Sequence, residues 1–542
     1  MWISRRWRHE PAFHALWPGI GKYNQTSYGG YNHNLAALDG QIYDMRNMSS
    51  DYAPLLSPRP QRYITRTLTQ PYGLYANDGL YWVDGTAFYA DGEERGTVSA
   101  GPKTFAALGA YIIIMPDMAC YNKLTGEFGS LNASWTGAAQ IVDGTYGGET
   151  AKSNTITASG ADFTALFKAG DGITISGAAL HPQNNKTIVV REVTATSLVF
   201  YENSFTINEG GDSEAALTLS REMPEIDFLC ENENRLWGCK GDTIYASKLG
   251  DPTNWNVFDG LSTDSYAVQV GSAGDFTACY SYLGYAIFFK EEMIYKVYGS
   301  APSNFQVMGS ASLGVEAGSS LSLAIAGETL FFLTRAGIVA YSGGTTQSVA
   351  SAFGLERYHN AVGGSDGLKY YVSMQNEVGE WSLFVYDTRL GIWEREDDTQ
   401  ALGFAWDSDL YFLDADGTLW LNGRPRSIPD GATIESPVES MVEFGEFVDN
   451  DPNKKQIAKL QVRISIDAGA SVTFWMMFDS SGTWEEINTI ESQVLRSYYL
   501  PLVPRRCDHY KIKITGTGGW RLYSLTREDS IGSELRSTPG RQ

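Results

Sequence analysis

At 542 residues the chain is too long for one ordinary hydrophobic core and is expected to hold about two to four domains. Its 43% hydrophobic and 19% charged residues exclude a disordered chain. A formal net charge of −22 excludes a groove that grips nucleic acid, because phosphate binding needs clustered Lys and Arg.

Fifty-seven Gly and 31 Tyr point to many turns and many half-buried strands, and so to an all-β fold. Helical periodicity is nearly absent; only short pieces such as Asp162–Lys168 suit a helical turn. The cysteines Cys120, Cys230, Cys239, Cys279 and Cys507 form no C-x-x-C and read as reduced core residues of a protein assembled in cytoplasm. Met1–Arg8 is basic, but the apolar stretch of a signal peptide does not follow it. No apolar run approaches the ~20 residues of a membrane span.

Residues 1–68 carry little periodicity and are expected to form an N-terminal arm. Its first part, Met1–Gly21, is basic and aromatic (Trp2, Arg5, Arg6, Trp7, Arg8, Trp17), unlike the acidic remainder. Either it is a loosely ordered tail or it docks on a neighbouring subunit, since exposed tryptophans are costly without a partner. From residue 69 to 133 come two aromatic hairpins, with Tyr81 and Tyr89 around Asp84-Gly85 and Ile113 and Tyr121 around Pro116-Asp117. The spacing then breaks. Residues 134–222 read as an inserted small β barrel or sandwich of five or six short strands, with strand-like text at Thr155–Thr157, Gly172–Gly177, Thr187–Val190 and Ser197–Tyr201.

Hairpins resume over 223–431. Trp237 and Tyr245 flank Lys240-Gly241-Asp242, where Gly tolerates the positive φ of a tight turn, and Phe412 and Trp420 flank Asp416-Gly417. Looser copies stand at Phe288/Tyr295, Phe331/Tyr341 and Tyr371/Phe384. About seven units at a period of roughly 40–50 residues predict a discontinuous β-propeller over 69–133 and 223–431. A two-sheet sandwich of the same strands is the alternative, and the repeated period disfavours it. Residues 432–542 change to longer alternating strands (Gln461–Ile466, Ser471–Met477, Tyr510–Ile514), as in a C-terminal jelly-roll-like β-sandwich with a polar tail.

Catalytic constellations are hard to find. The histidines His9, His14, His33, His181, His359 and His509 form no H-x-x-x-H, no H-E-x-x-H and no Cys/His cluster, so no metal site and no cofactor is expected. Neither G-x-S-x-G nor a phosphate loop occurs. Asp414–Trp420 and Asp479–Trp484 resemble the Asp-box of sialidase propellers with Asp and Gly mis-spaced, and plain hairpin turns explain both. The acidic run Glu394-Arg395-Glu396-Asp397-Asp398 suits a glycosidase carboxylate pair, but a solvated loop is the expectation. Asp171 and Asp212 suit calcium, without the repeated acidic ladder that would support it. No residue is assigned a catalytic, cofactor-binding or metal-binding role, and the chain is read as a non-enzyme.

The stretch Asn234-Arg235-Leu236-Trp237, Ile244-Tyr245-Ala246-Ser247, Gly250-Asp251-Pro252 and Asn254-Trp255 resembles a motif of tailed-bacteriophage tail structural proteins. The tail nozzle (tail tubular B) and packaged-DNA stabilisation proteins are the nearest of these. Similar text stands in the insertion (Phe167–Asp171, Gly177, Asn184–Thr187), at Asp39–Met48 with Leu56–Arg59, and at Pro501–His509. The resemblance implies a propeller with inserted domains in a homo-oligomeric ring, usually a hexamer. Such a ring lies in the virion tail beside portal or adaptor proteins, with genomic DNA passing through its lumen. The acidic balance fits such a conduit, since negative walls leave DNA mobile. A carbohydrate-binding or glycan-degrading propeller of the virion is the alternative function, and an unrelated protein-interaction propeller is a third.

Overall fold

The computed structural model describes residues 20–34, 39–448 and 454–531. The basic segment Met1–Arg8 and the polar tail from Ser533 lie outside the described residues.

The fold is an all-β propeller of seven antiparallel blades, each built from consecutive hairpins. Blade 1 runs from Pro71–Ala76 to Glu93–Thr97, and blade 2 from Thr104–Leu108 to Phe128–Ser130. Blade 3 spans Phe228–Asn232 to Tyr266–Gln269, and blade 4 spans Ala278–Tyr282 to Gln306–Ala311. Blade 5 follows from Ala324–Ala326 to Thr346–Ser348, and blade 6 from Tyr358–Ser365 to Ile392–Arg395. Blade 7 takes Ala401–Asp407, Asp409–Asp414 and Thr418–Leu421 from the chain, and then borrows Tyr63–Thr67 as its next strand. The ring is closed by a strand from the other end of the sequence.

The recurrent aromatics show why blades stack. Trp237 pairs with Ala246 and Tyr245 with Gly238, so residues eight apart across this two-residue turn fall on opposite faces of the sheet. Trp237, 2% exposed, packs with Phe288 and Tyr295 of blade 4, whereas Tyr245 packs towards Ile113 and Met115 of blade 2. Tyr81 and Tyr89 divide in the same way between blade 2 and blade 7. Each such hairpin therefore supplies one large ring to each neighbour, and no blade buries both faces alone. Phe412 and Trp420 differ: a three-residue loop places them directly opposite, with ring centroids 6.2 Å apart.

The innermost strands of all seven blades converge on an axial cavity of about 290 Å³. Leu74, Tyr75, Phe105, Phe228, Leu229, Leu323 and Phe404 make its wall largely apolar. Its two charged lining residues are satisfied away from the axis, Asp227 by Lys240 at 2.7 Å and Lys103 by Asp117 at 2.6 Å.

The insertion is one seven-stranded sheet, ordered Thr187–Val189, Gly172–Ser176, Asp212–Arg221, Ala133–Tyr146, Glu149–Thr157, Ser197–Val199, Glu192–Val193. Ala133–Tyr146 bulges between Gly137 and Ala139, which bends the sheet around its own core of Ile141, Phe163, Ile173, Phe200 and Leu219.

The C-terminal sandwich has two five-stranded sheets, and here the expected N-terminal arm needs correction. Ile20–Gln25 pairs with Trp520–Ile531, and Ile42–Arg46 pairs with Glu439–Phe444. With Tyr63–Thr67 in blade 7, the described part of the arm is a strap woven through both bodies. Ile20–Gln25 and Ile42–Arg46 are short sheet-edge strands, and Tyr63–Thr67 is half-buried to exposed with only the two-residue strand Thr433–Ile434 beyond it, so the strap carries too little alternation to be read as strands alone. The sandwich core (Val462, Phe474, Ile512, Leu522) continues through Ile42, Met45 and Met48 of the strap into Phe384 and Trp393 of blade 6.

Candidate functional site

The densest polar arrangement lies where the strap crosses blades 6 and 7. Arg59 donates from Nη1 and Nη2 to the two carboxylate oxygens of Glu435, at 3.2 and 2.9 Å, and from Nε to Asn47 Oδ1 at 2.8 Å. Arg62 donates from Nη1 to Asp397 Oδ2 at 2.7 Å and from Nη2 to Glu396 Oε2. Its side chain is 3% exposed. At the rim Arg46 pairs with Asp398 at 3.0 Å, and Arg395 with Asp44 at 3.3 Å. The run Glu394–Asp398 is thus not the solvated loop expected for it. Glu394 and Glu396 are buried, and Glu396 and Asp397 receive arginines from the segment just before Tyr63–Thr67, more than 300 positions earlier. The reason is closure: the strap must lie beside the end of blade 6, and its Pro58-Arg59-Pro60 segment brings guanidiniums onto that end.

Beside this seam is a cavity of about 360 Å³, lined by Asp51, Asp366, Lys369, Tyr371, Arg389, Glu396 and Arg424 among others. Lys369 Nζ donates to Asp51 at 2.8 Å, and Ser50 Oγ donates to Asp387 at 2.7 Å. Burial works against the Asp51 charge, but Lys369 more than offsets it and holds the carboxyl below its ordinary value. Asp397 is likewise held low against burial by Arg62 and Arg59. Glu394 behaves oppositely. Burial pushes its carboxyl up to about 7, while Lys369 pulls the other way without restoring it. No ion pair reaches the Glu394 side chain among the described residues.

The motif around Trp237 forms a second polar joint. Arg235, 2% exposed, donates to the carbonyls of Ser247, Asp264 and Ser262 at 2.8, 2.5 and 2.7 Å, which fastens the loop carrying Gly250-Asp251-Pro252. At the tip of that loop Asn254 Nδ2 donates to Asp171 Oδ1 of the insertion at 2.9 Å, and Gly172 N–H donates to Asn254 Oδ1 at 3.0 Å. Lys248 Nζ reaches the Gly170 carbonyl at 2.8 Å, and Arg221 donates to Asp171. Two stretches singled out separately in sequence therefore meet as one latch.

The remaining candidates are structural. Asp171 is taken by Arg221 and Asn254, while Asp212 accepts from Asn208 Nδ2 at 2.7 Å and stands 3.4 Å from His181; the two do not share a site. Asp414 accepts from Thr418 N–H and Trp420 Nε1, both at 2.7 Å, and so ties its own hairpin. Asp479 accepts from Asp508 N–H at 2.7 Å. His33 lies 3.7 Å from Glu356, and His509 hydrogen-bonds Ser480 at 2.7 Å. His9 and His14 lie outside the described residues. All five cysteines are free thiols. Among the described residues no group of three or more His, Cys, Asp or Glu is placed to hold a metal ion, and no helix is long and apolar enough to cross a membrane. Arg62, Lys369 and Asp51 were not singled out from the sequence; the only signal was a pair of arginines among prolines in an acidic chain.

No family model matches the chain. No curated relative matches it either. Among solved structures it is similar to PorZ, a bacterial surface component of the type-IX secretion system of Porphyromonas gingivalis, at 11% identity over 85% of this chain and 77% of that one, with a TM-score of 0.25. It is also similar to an exo-β-1,3-galactanase of Phanerochaete chrysosporium, at 10% identity over 54% of this chain and 92% of that one, with a TM-score of 0.21. Trypanosoma rangeli sialidase matches at 10% identity over 96% and 97%, again with a TM-score of 0.21. These likenesses concern the β-propeller fold and nothing finer.

Proposed function

We propose that this propeller protein is a structural component of a phage tail, a nozzle or hub subunit assembling as a homo-oligomeric ring, hexameric in the reading the resemblance suggests. The ring sits against portal or adaptor proteins and passes genomic DNA during ejection; its subunits are made in the host cytoplasm and end in the virion. The observation that carries the non-catalytic part is the disposition of the acids. The axial cavity holds one carboxylate, and the buried run Glu396-Asp397 is consumed by Arg59 and Arg62. What remains is a braced body whose polar chemistry holds domains together. Because the axis is small and apolar, DNA travels between subunits of a ring and not through the propeller. Mass photometry and negative-stain images of the chain, alone and with portal rings, test this. Closed rings support it, and a monomer at all salt concentrations with its partner present counts against it.

One observation favours a second reading, a glycan-degrading propeller. Glu394 with its raised carboxyl, near ionised Asp51 and a 360 Å³ polar cavity, resembles an acid paired with a charged carboxylate. Hydrolysis of galactans, sialosides or host-envelope polysaccharides that disappears in Glu394→Gln supports it; inactivity on all of them removes it.

A further inference from the structure

Between the strap, blade 7 and the sandwich lies a second cavity of about 400 Å³, which shares Pro60 and Arg424 with the cavity beside the seam. One wall is the ring of Tyr52. The guanidinium of Arg424 stands 4.9 Å from its centroid and that of Arg521 stands 4.7 Å from it. Arg424 Nη2 also donates to Tyr52 Oη at 2.8 Å. Two cations on one phenol repel each other; the exposed Arg424 also borders the cavity of Asp51, Asp366 and Glu396 without an ion pair to any of them, and Asp467 is the carboxylate that lines the present cavity. Asp467, itself half exposed, approaches Arg521 only at 3.6 Å. Arg424 has no ion pair among the described residues, and Asp51, which feels its charge, is bonded to Lys369 at 2.8 Å. Arg59 also lines the cavity, but its donors are taken by Asn47 and Glu435. In a chain of net charge −22, a concave site with two under-compensated guanidiniums is a local reversal of sign.

We propose that this cavity is a binding site for a phosphoryl group, with Arg424 and Arg521 as its charge-assisted donors. A guanidinium offers planar, paired N–H groups that match two oxygens of a phosphate, and two guanidiniums on one ring can share a tetrahedral anion that a planar carboxylate spans less well. Gly518 and Gly519 line the same cavity with no side chain to narrow it. Tyr52 fixes the distance between the arginines, so the site is set by the strap and exists only when the strap is in place.

Isothermal titration of the full chain with inorganic phosphate and with glycerol phosphate tests the site, with galacturonate as the carboxylate probe. Saturable binding of at least one phosphate is expected, weakened at least tenfold in Arg424→Gln and in Arg521→Gln. Arg426→Gln, a nearby exposed arginine that does not line the cavity, should bind as the native chain does. Tighter binding of glycerol phosphate assigns the natural ligand to a phosphomonoester, and tighter binding of phosphate assigns it to the free ion. Thermal melts in phosphate-free buffer separate a folded non-binding variant from an unfolded one, and Arg424→Lys, which keeps charge but not the fork, should fall between. The proposal is overturned by a native chain that takes up neither phosphate, by binding that survives both Gln substitutions, or by galacturonate binding as tightly as phosphate.

Discussion

The inserted module and the C-terminal sandwich are both β bodies carried by the same propeller, and they are attached by opposite means. The module enters and leaves through neighbouring strands: Ser134 pairs with Ser220 and Trp135 with Leu219, so its two ends lie side by side. Beyond that stem it is held by a latch centred on one buried carboxylate, Asp171, and it has its own apolar core. The sandwich shares its core with blade 6 and is sewn on by a strap whose strands belong to both bodies. A body attached locally can be lost without disturbing its host. One attached through strands distant in sequence cannot, because the same strap closes the propeller.

The sharpest way to break this comparison is deletion. Removing residues 1–67 takes the borrowed strand from blade 7 and two edge strands from the sandwich, so loss of cooperative unfolding and of most native β signal is expected. Removing the module, by joining Trp135 to Ser220 through a short Gly/Ser linker, should leave a cooperative propeller. Circular dichroism melts of both deletion variants decide the matter; equal damage from the two would falsify the difference in attachment.

A single side chain tests the seam at finer scale. Arg62→Ala leaves Glu396 and Asp397 buried with their principal cation gone, and removing one partner of a buried pair costs about 3–5 kcal/mol. Denaturant unfolding should show that loss. A change near zero, as for a surface pair, would mean that the seam is wetter than its burial indicates.

The pH dependence of stability sharpens the same contrast. Glu394 has a folded pKa of about 7 against an ordinary value of 4.5. Its contribution is therefore full below the ordinary value and is lost as pH rises towards 7, because the unfolded chain releases the proton first. The loss amounts to at most about 3 kcal/mol. Asp51 and Asp397, held low, act in the other direction: their contribution is present above the ordinary carboxylate value and falls away in acid. Glu394→Gln should remove the decline between about pH 4.5 and 7 and leave the acid limb intact. Unfolding curves across that range measure it, and an unchanged profile would show that Glu394 is already ionised.

Much of this contrast was legible in the sequence. The hairpin period marked the blades, and the interruption after residue 133 marked the insertion, because both are local patterns of aromatic and turn residues. The strap was not legible. Ile42–Arg46 and Tyr63–Thr67 become strands only by pairing with residues hundreds of positions away, and neither shows a clear alternation of buried and exposed positions. For the same reason Glu394–Asp398 read as a solvated loop: nothing near it in sequence supplies Arg59 and Arg62. The latch was half visible, since both of its stretches stood out, while their meeting is tertiary.

The smallest expected effect is at that latch. Asn254 uses both ends of its amide, donating to Asp171 and Asp251 and accepting from the Gly172 N–H. In Asn254→Ala the Gly172 N–H loses its side-chain acceptor in a buried position, while Asp171 keeps Arg221. An orphaned buried donor costs about 1–3 kcal/mol, and Arg221 together with the paired stem limits how far the damage spreads. The loss should therefore appear as local opening: faster amide exchange at residues 168–176 and 248–256, with blades 5 to 7 protected as before. Protection lost across the whole propeller would show that the module is as integral as the sandwich, and the two joints would then be alike.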